Sequence, residues 1–518
     1  MPTITARSSL PIVLAVLTLA LTACGGSSVG LPQADFSDIR ITGHAPGVTP
    51  FISSVQLTGS SLGNLSSITF TITPKPGAVS APLNVSWALS ALASRGYYSH
   101  GVLNLPVFGL YAGYTNQLSI NLLFADKSTQ TLPLTITTAT YTDPNGIYDK
   151  PTINQSRAPG SALGFNFFVM KSTVGAPVVI DTDAEIRWVV PGVDSAESSI
   201  YQNGQFLIGS QTSSDFFGLQ WDGTQSAHTQ VQAVAPNIAE FTHNIDPGNV
   251  GLLAEFSGVD RYGNDGDAIV SEIVPQVDLA GQITTVSFTG NWDMAAIIET
   301  YMLAQGDNAA AFVRPGADWF HLNAATYDPS DGTVIVSSRE NFVIKVDYAT
   351  GNILWILGDP TKYWYTFPSL RAKALTLAPG GLYPVGQHGI SITSDGNLMV
   401  FNDGFGSINQ PAGAPAGITR TYSAVTVYSI DAVAMTASQV WNFDYGQTIF
   451  ATFCGSVYEA SGTFLIDYAT AANETQARLV GLDSNHNVAF DFQYPSPIPC
   501  GAAWNAIPLP LENLQIAQ

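Results

Sequence analysis

Residues Asp318–Pro360 read DWFHLNAATYDPSDGTVIVSSRENFVIKVDYATGNILWILGDP, and this stretch decides the fold. Its apolar runs LNAATY, TVIVSS, FVIKVD and ILWIL are broken by the turn-forming clusters DPSDG, REN and YATGN. Apolar alternation over four to eight residues, bounded by Asp, Pro, Gly and Asn, is the pattern of successive short strands joined by tight turns. Into this unit the sequence sets His321, Asn323 and Arg339, although charged residues make up only 11% of the chain. Such side chains at strand ends are either solvated or line a site. The rest of the chain chooses between the two.

The same texture recurs on both sides of the quoted stretch. AEIRWVV is followed by NGQFLIGS, and HNIDPGNVGLLAEF follows in turn. HGISITSDGNLMVFND leads to SAVTVYSIDAVAMTASQVWNF, and GSVYEASGTFLIDYAT to ARLVGLDSNHNVAFDF. A diverged unit of about 40 to 75 residues with up to four strands is the signature of a β-propeller, and residues 151–518 supply roughly six such blades. A second sandwich would be too small to hold them. Between about Asp35 and Tyr148, the segments SSITFTITPKPG, LNVSWALS, NQLSINLLFAD and QTLPLTITTATY read as a small β-sandwich of about seven strands. That segment, 35–150, carries few candidate catalytic side chains and is assigned to scaffolding. The expected fold class is therefore all-β, a six-bladed β-propeller preceded by a small N-terminal β-sandwich.

Length and charge narrow the function. A chain of 518 residues exceeds one ordinary core, and 46% hydrophobic residues with Gly 47 and Pro 31 describe a turn-rich, folded protein. A net charge of -21 with only 18 Lys and Arg argues against a nucleic-acid partner, because phosphate neutralisation needs clustered cations. At the N-terminus, Arg7 precedes an apolar run of about a dozen residues, signal-peptide length and too short to span a bilayer stably. The run ends in Leu21-Thr22-Ala23-Cys24, the pattern of a bacterial lipobox, with 1–23 as signal peptide, Cys24 as the acylated first residue and 24–34 as a Gly/Ser tether. Gly25 rather than Asp after the cysteine favours the outer membrane, so the expected location is the periplasm, lipid-anchored. Cys454 and Cys500 are the other two cysteines. In an oxidising compartment a disulfide between them and two buried thiols both remain open.

Three of the seven histidines share one repeat phase: His243 lies eight residues before Gly251, His388 eight before Gly396, and His321 eleven before Gly332. Each is read as opening the strand before a hairpin turn. Inner strands line a propeller's central channel, so equivalent positions in successive blades converge on its axis. His44, His100, His228 and His486 lack that phase and are read as solvated. Asn323 lies two residues after His321, on the same side of an alternating strand. Arg339 ends the next strand and returns to the rim where His321 began. A buried guanidinium there supplies a planar fork of donors suited to an oxyanion. The absence of an accompanying carboxylate cluster argues against calcium or magnesium; a three-histidine zinc site stays open, and no metal is expected.

The segments DWFHLN with its Arg eighteen positions on, GQHGISI, GNLMVFNDG, FTHNID and LPVFGLYAGYTN resemble the bacterial arylsulfate sulfotransferase family. That resemblance implies transfer of a sulfuryl group from a phenolic sulfate ester to a phenol, ping-pong, through a sulfohistidine and without a cofactor. Carried onto this chain, it makes His388 the nucleophile, with His243, His321, Asn323 and Arg339 holding the sulfuryl group and handling protons. Which of His243 and His321 is the acid and base is left open, as are the natural donor and acceptor and a homodimeric state. Family members with a disulfide carry it shortly before the nucleophile, whereas Cys454 and Cys500 both follow His388. Two other readings stand beside this one: a lipid-anchored propeller used as a binding platform, and a quinoprotein-like oxidoreductase. The second rests on KVDYATGNILW, a tryptophan-docking pattern that occurs clearly only once, so Trp355 is read as inter-blade packing.

Overall fold

The computed structural model describes residues 38–233, 238–259, 265–314, 316–415 and 417–517. The signal segment 1–23, Cys24 and the tether lie outside the described residues.

Two sheets pack face to face at the N-terminal end. One orders Arg40–Pro46, Ile52–Thr58, Val102–Phe108 and Tyr98–Ser99; the other contains Leu83–Ala88, Leu65–Ile72, Thr115–Phe124 and Thr129–Thr137. The period of two that announces these strands is the period of burial: Leu65, Ile68, Phe70 and Ile72 face inward from one strand. The second sheet gains a fifth strand from the far end of the chain. Leu514–Ile516 pairs in parallel with Leu83–Ala88, Leu514 opposite Val85. The last residues thus belong to the sandwich, which corrects the assignment of everything from 151 to 518 to the propeller. An open edge at Leu83–Ala88 and a short strand with Leu514 and Ile516 buried and Gln515 outward explain the pairing.

Six further sheets make the propeller. Their innermost strands are Asn505–Pro508, Ser199–Gln202, Ile238–Pro247, Leu322–Asp328, Gln387–Ile392 and Ser456–Ala460. The stretch Asp318–Pro360 holds the fourth blade, with strands Leu322–Asp328, Thr333–Ser338, Phe342–Asp347 and Ile353–Leu357. Both ends of the propeller segment close the ring. Asn505–Pro508 pairs with Phe167–Lys171 as the inner strand of the first blade, and Thr152–Gln155 pairs with Val488–Pro495 as the outer strand of the last. Trp355 is buried in a cluster with Ile390, Leu398 and Tyr428 of the fifth blade, between the two sheets. An α-helix, Met294–Ala304, capped by Asp293 accepting from the Ala296 amide at 3.0 Å, links the third and fourth blades. Repeat reading gave no sign of it, because it replaces a loop and not a strand.

The sandwich is welded to the first blades by one continuous apolar cluster that runs from Ile39 to Trp221 and on to Ile516. Phe108 stacks on Trp221 at 4.1 Å, and Arg187 donates to the Gly109 carbonyl at 2.7 and 3.0 Å while lying 3.8 Å above the Tyr111 ring. Its charge is balanced by Asp181 at 2.9 Å; burial pushes that carboxyl up to about 6, with Arg187 opposing. The sandwich is therefore a buttress fixed to one side of the ring.

Candidate active site

Where the three in-phase histidines fall, the inner strands are irregular. His243 sits inside Ile238–Pro247, His321 immediately precedes Leu322–Asp328, and His388 is the second residue of Gln387–Ile392. The reading that each histidine opens its strand thus needs correcting at His243, which follows five strand residues. What the three share is a bulge: pairing slips between Thr242 and Ile245, between Leu322 and Ala324, and between His388 and Ile390. A bulge re-aims the side chain it carries, as it does His243, whereas the other two slips fall just after His321 and His388; His243 and His321 pass through positive φ, 51° and 48°.

The three rings come together. His243 and His321 meet edge to face with centroids 5.2 Å apart; Trp504 lies 5.0 Å from His243 and 5.9 Å from His388. The Arg339 amide donates to the His321 carbonyl at 3.0 Å, so the guanidinium starts from the same rim. Arg339 is 1% exposed; Nη1 donates to Glu340 at 2.9 Å, while Nε and Nη2 have no hydrogen-bond partner among the described residues. Phe453 and Phe405 flank it at 5.0 and 5.8 Å. Asn323 Nδ2 donates to the Gln387 carbonyl at 2.8 Å, tying the fourth blade to the strand that carries His388. The bulge at Leu322 interrupts the simple alternation expected to bring Asn323 to the side of His321. Its tie to the fifth blade sets its direction instead.

The electrostatics sort the histidines. Burial, helped by His321, holds His243 well below its ordinary value, and its Nδ1 lacks a partner among the described residues. Burial also holds His388 well below 6.5, reinforced by the positive charge of Arg339 and then by His321 and His243. His388 Nδ1 lies 3.3 Å from the Gly386 carbonyl and 2.7 Å from Asp403. His321 differs, since its Nδ1 is bonded to the half-exposed carboxylate of Asp318. Among the described residues, no three His, Cys, Asp or Glu groups converge as metal ligands. Of the remaining histidines, His44, His100 and His228 are exposed, but His486 packs 4.3 Å from Trp441, which corrects its reading as solvated.

Several residues of the site escaped sequence reading. Asp318 and Asp403 each contact a histidine, Trp504 joins two of them, and Phe405 and Phe453 wall the guanidinium. Glu340 both pairs with Arg339 and accepts from the Ile408 and Asn409 amides at 2.9 and 2.7 Å, which clamps the 403–423 loop over the rim. The legible signal was weak: Asp318 and Glu340 stand within three residues of flagged positions, whereas Trp504 arrives only through ring closure. Two cavities lie away from the histidines: one of about 470 Å³ at the sandwich seam, lined by Phe51, Tyr148 and Asp183, and one of about 290 Å³ further along the channel beside Lys171, Asp246 and Tyr458.

A family model described as Arylsulfotransferase (ASST) matches residues 152–505. The chain is similar to arylsulfate sulfotransferase AssT of Escherichia coli O6:H1 strain CFT073, 26% identical over 317 residues, covering 51% of this chain and 52% of that protein. It is also similar to AssT of Lelliottia amnigena, 28% identical over 142 residues, covering 24% and 23%. The chain spans about half the length, or less, of these curated relatives. Solved structures give only remote likenesses. The Cps50 (Swd1) β-propeller domain has TM-score 0.34 at 10% identity, covering 67% of this chain and 89% of that one. A europium-containing methanol dehydrogenase has TM-score 0.32 at 11% identity, covering 66% and 80%.

Cys454 and Cys500 form a disulfide with Cα atoms 6.2 Å apart, in a small cluster with Phe453 and Trp504. It therefore ties together the two chain segments that carry the site's aromatic walls. Replacing both cysteines by serine is expected to lower unfolding free energy in urea by about 2–4 kcal/mol. A loss under 0.5 kcal/mol would mean that the bridge constrains nothing.

Proposed function

The chain belongs to the arylsulfotransferase family, and on that premise we propose that it passes a sulfuryl group from an aryl sulfate ester to a phenol by a ping-pong route through His388. One observation carries the proposal most: a buried guanidinium with two nitrogens unpartnered among the described residues stands among imidazoles from three blades. Sulfuryl transfer, like phosphoryl transfer, passes through a loose transition state with charge spread over three oxygens, so fixed donors supply much of the catalysis. Arg339 Nε and Nη2 would bind two of those oxygens, and Asn323 Nδ2 keeps a second N–H for the third. Glu340 holds the fork in place from behind. Phe405, Phe453 and Trp504 supply rings against which an arene can pack.

His388 stays neutral because it is buried beside a cation, so Nε2 has a lone pair for sulfur. As the N–S bond forms, the S–O bond to the arene breaks and its electron pair leaves on the phenolate oxygen. His321 then gives that oxygen a proton, because its Asp318 partner balances the imidazolium it starts from, and takes one from the acceptor phenol in the second half. His243 is too poorly partnered to hold a charge. It serves as a neutral imidazole at the sulfuryl group. No cofactor enters the scheme.

We further propose a periplasmic, lipid-anchored enzyme, on the strength of the Leu21–Cys24 motif. Among the described residues no helix is long and apolar enough to cross a membrane.

His388→Ala is expected to abolish turnover of 4-nitrophenyl sulfate with excess phenol and to leave no sulfo-peptide in enzyme quenched with donor alone; full activity sinks the scheme. Arg339→Lys should cost about 100-fold or more in kcat/KM, since an ammonium cannot reproduce the fork. Because His388 is held below 6.5, the burst of first phenol should persist at pH 5.5 within about threefold of its pH 7 rate, although an ordinary imidazole would be about nine-tenths protonated there. A tenfold fall would contradict that placement of charge. Cys24→Ser should move the protein from the membrane fraction to the soluble one, and an unchanged partition would refute the anchor.

A further inference from the structure

Nδ1 of His388, the nitrogen that does not attack sulfur, has two oxygen neighbours. The Gly386 carbonyl lies at 3.3 Å and Asp403 Oδ2 at 2.7 Å. A carbonyl can only accept, so the ring proton belongs on Nδ1 and the lone pair on Nε2. The shorter contact is an ion-pair distance and not a straight hydrogen bond, because the N–H points more nearly at Gly386. Neither oxygen of Asp403 meets another hydrogen-bond donor among the described residues, and the side chain is fully buried.

A buried carboxylate with so few partners is costly. The backbone nevertheless goes to some length to put it there. The Asp403 amide reaches the Gly386 carbonyl at 3.4 Å, and Ser423 Oγ donates to the Asp403 carbonyl at 2.8 Å. Gly386 adopts φ 57°, and a Cβ there would meet the Phe405 carbonyl oxygen at 2.3 Å, so only glycine lets the two segments close on each other. The arrangement is built, and its centre is the second nitrogen of the nucleophile.

We propose that Asp403 is a positioning residue that holds the Nδ1 proton of His388 through both half-reactions and balances the charge on the ring while Nε2 carries the sulfuryl group. This rests on the sulfotransferase reading. When the Nε2–S bond forms and the aryl S–O bond breaks, the ring becomes a sulfo-imidazolium whose Nδ1–H faces the carboxylate. In the second half the acceptor oxygen bonds to sulfur, the N–S pair returns to Nε2, and a neutral imidazole departs because Nδ1 kept its proton. With Nδ1 bare the leaving group would be imidazolate, a far poorer one. Burial lifts Asp403 well above the usual carboxylate range, opposed by Arg339; the carboxylate is a costly charge that the cationic ring offsets, with no proton passing between the two.

The test is Asp403→Asn, which keeps shape and removes charge. Rapid quench should show both sulfo-enzyme formation and transfer to phenol slowed by about 100-fold or more, with donor KM within about threefold. Nitrogen NMR of histidine-labelled protein should find His388 protonated at Nδ1 in the wild type, and in a mixed or reversed tautomer in the variant. Both rates within threefold of wild type, with the tautomer unchanged, would overturn the proposal. If the variant does not fold, wild-type sulfo-enzyme decides: Nδ1 protonated at pH 8 supports the role, and Nδ1 bare refutes it. A wild type that never forms sulfo-enzyme removes the sulfotransferase reading and this role with it, whereas an active wild type with an equally fast variant removes this role alone.

Discussion

Closure of the ring by the strand pair Phe168–Pro508 to Lys171–Asn505 is the constraint on which the site depends. Without it the first blade has no inner strand, and Trp504, one residue earlier, is not delivered between His243 and His388. The residues around that closure are bound by a buried polar network. Lys171 Nζ donates to Asn244 Oδ1, Asn244 donates to Asp246 at 2.6 Å, and the Tyr458 hydroxyl receives Asn505 at 3.0 Å. Three blades are joined there, one layer along the channel from the imidazoles. Burial pulls Lys171 down to about 8 and lifts Asp246 to about 6, each shift opposed by the other group's charge.

Scarcity of charge gives the remaining charges their force. The chain has few cations, yet it buries Arg339 at the rim with Nη1 on Glu340 and Nε and Nη2 unpartnered among the described residues, in a medium where a donor counts for more than in water. The same low dielectric separates three otherwise equal imidazoles. Burial holds His243 and His388 well below the ordinary imidazole value, His388 further through Arg339, whereas the Nδ1 of His321 is bonded to the more exposed Asp318. The proposed division of labour between nucleophile and proton carrier rests on these surroundings, not on residue type.

The Cys454–Cys500 disulfide braces the site from the C-terminal side of the chain. It lies after the proposed nucleophile in sequence but beside it in space, tying the segment that carries Phe453 to the one that carries Trp504. Glu340 does a comparable job across the rim, holding both a guanidinium and the loop after Asp403. Loops supply most of the aromatic wall.

The sequence by itself determined the strands, the sixfold repeat and the common phase of His243, His321 and His388, because side-chain alternation and turn chemistry are local properties. It also flagged Arg339 and Asn323, since a polar residue in an apolar repeat is visible without coordinates. The folded chain alone shows that those histidines meet at one place, that Asp403 and Trp504 stand beside them, and that Leu514–Ile516 crosses back to the sandwich. Those features arise from pairings between strands far apart in the chain and from the desolvation that follows. Neither is encoded in any short window of residues.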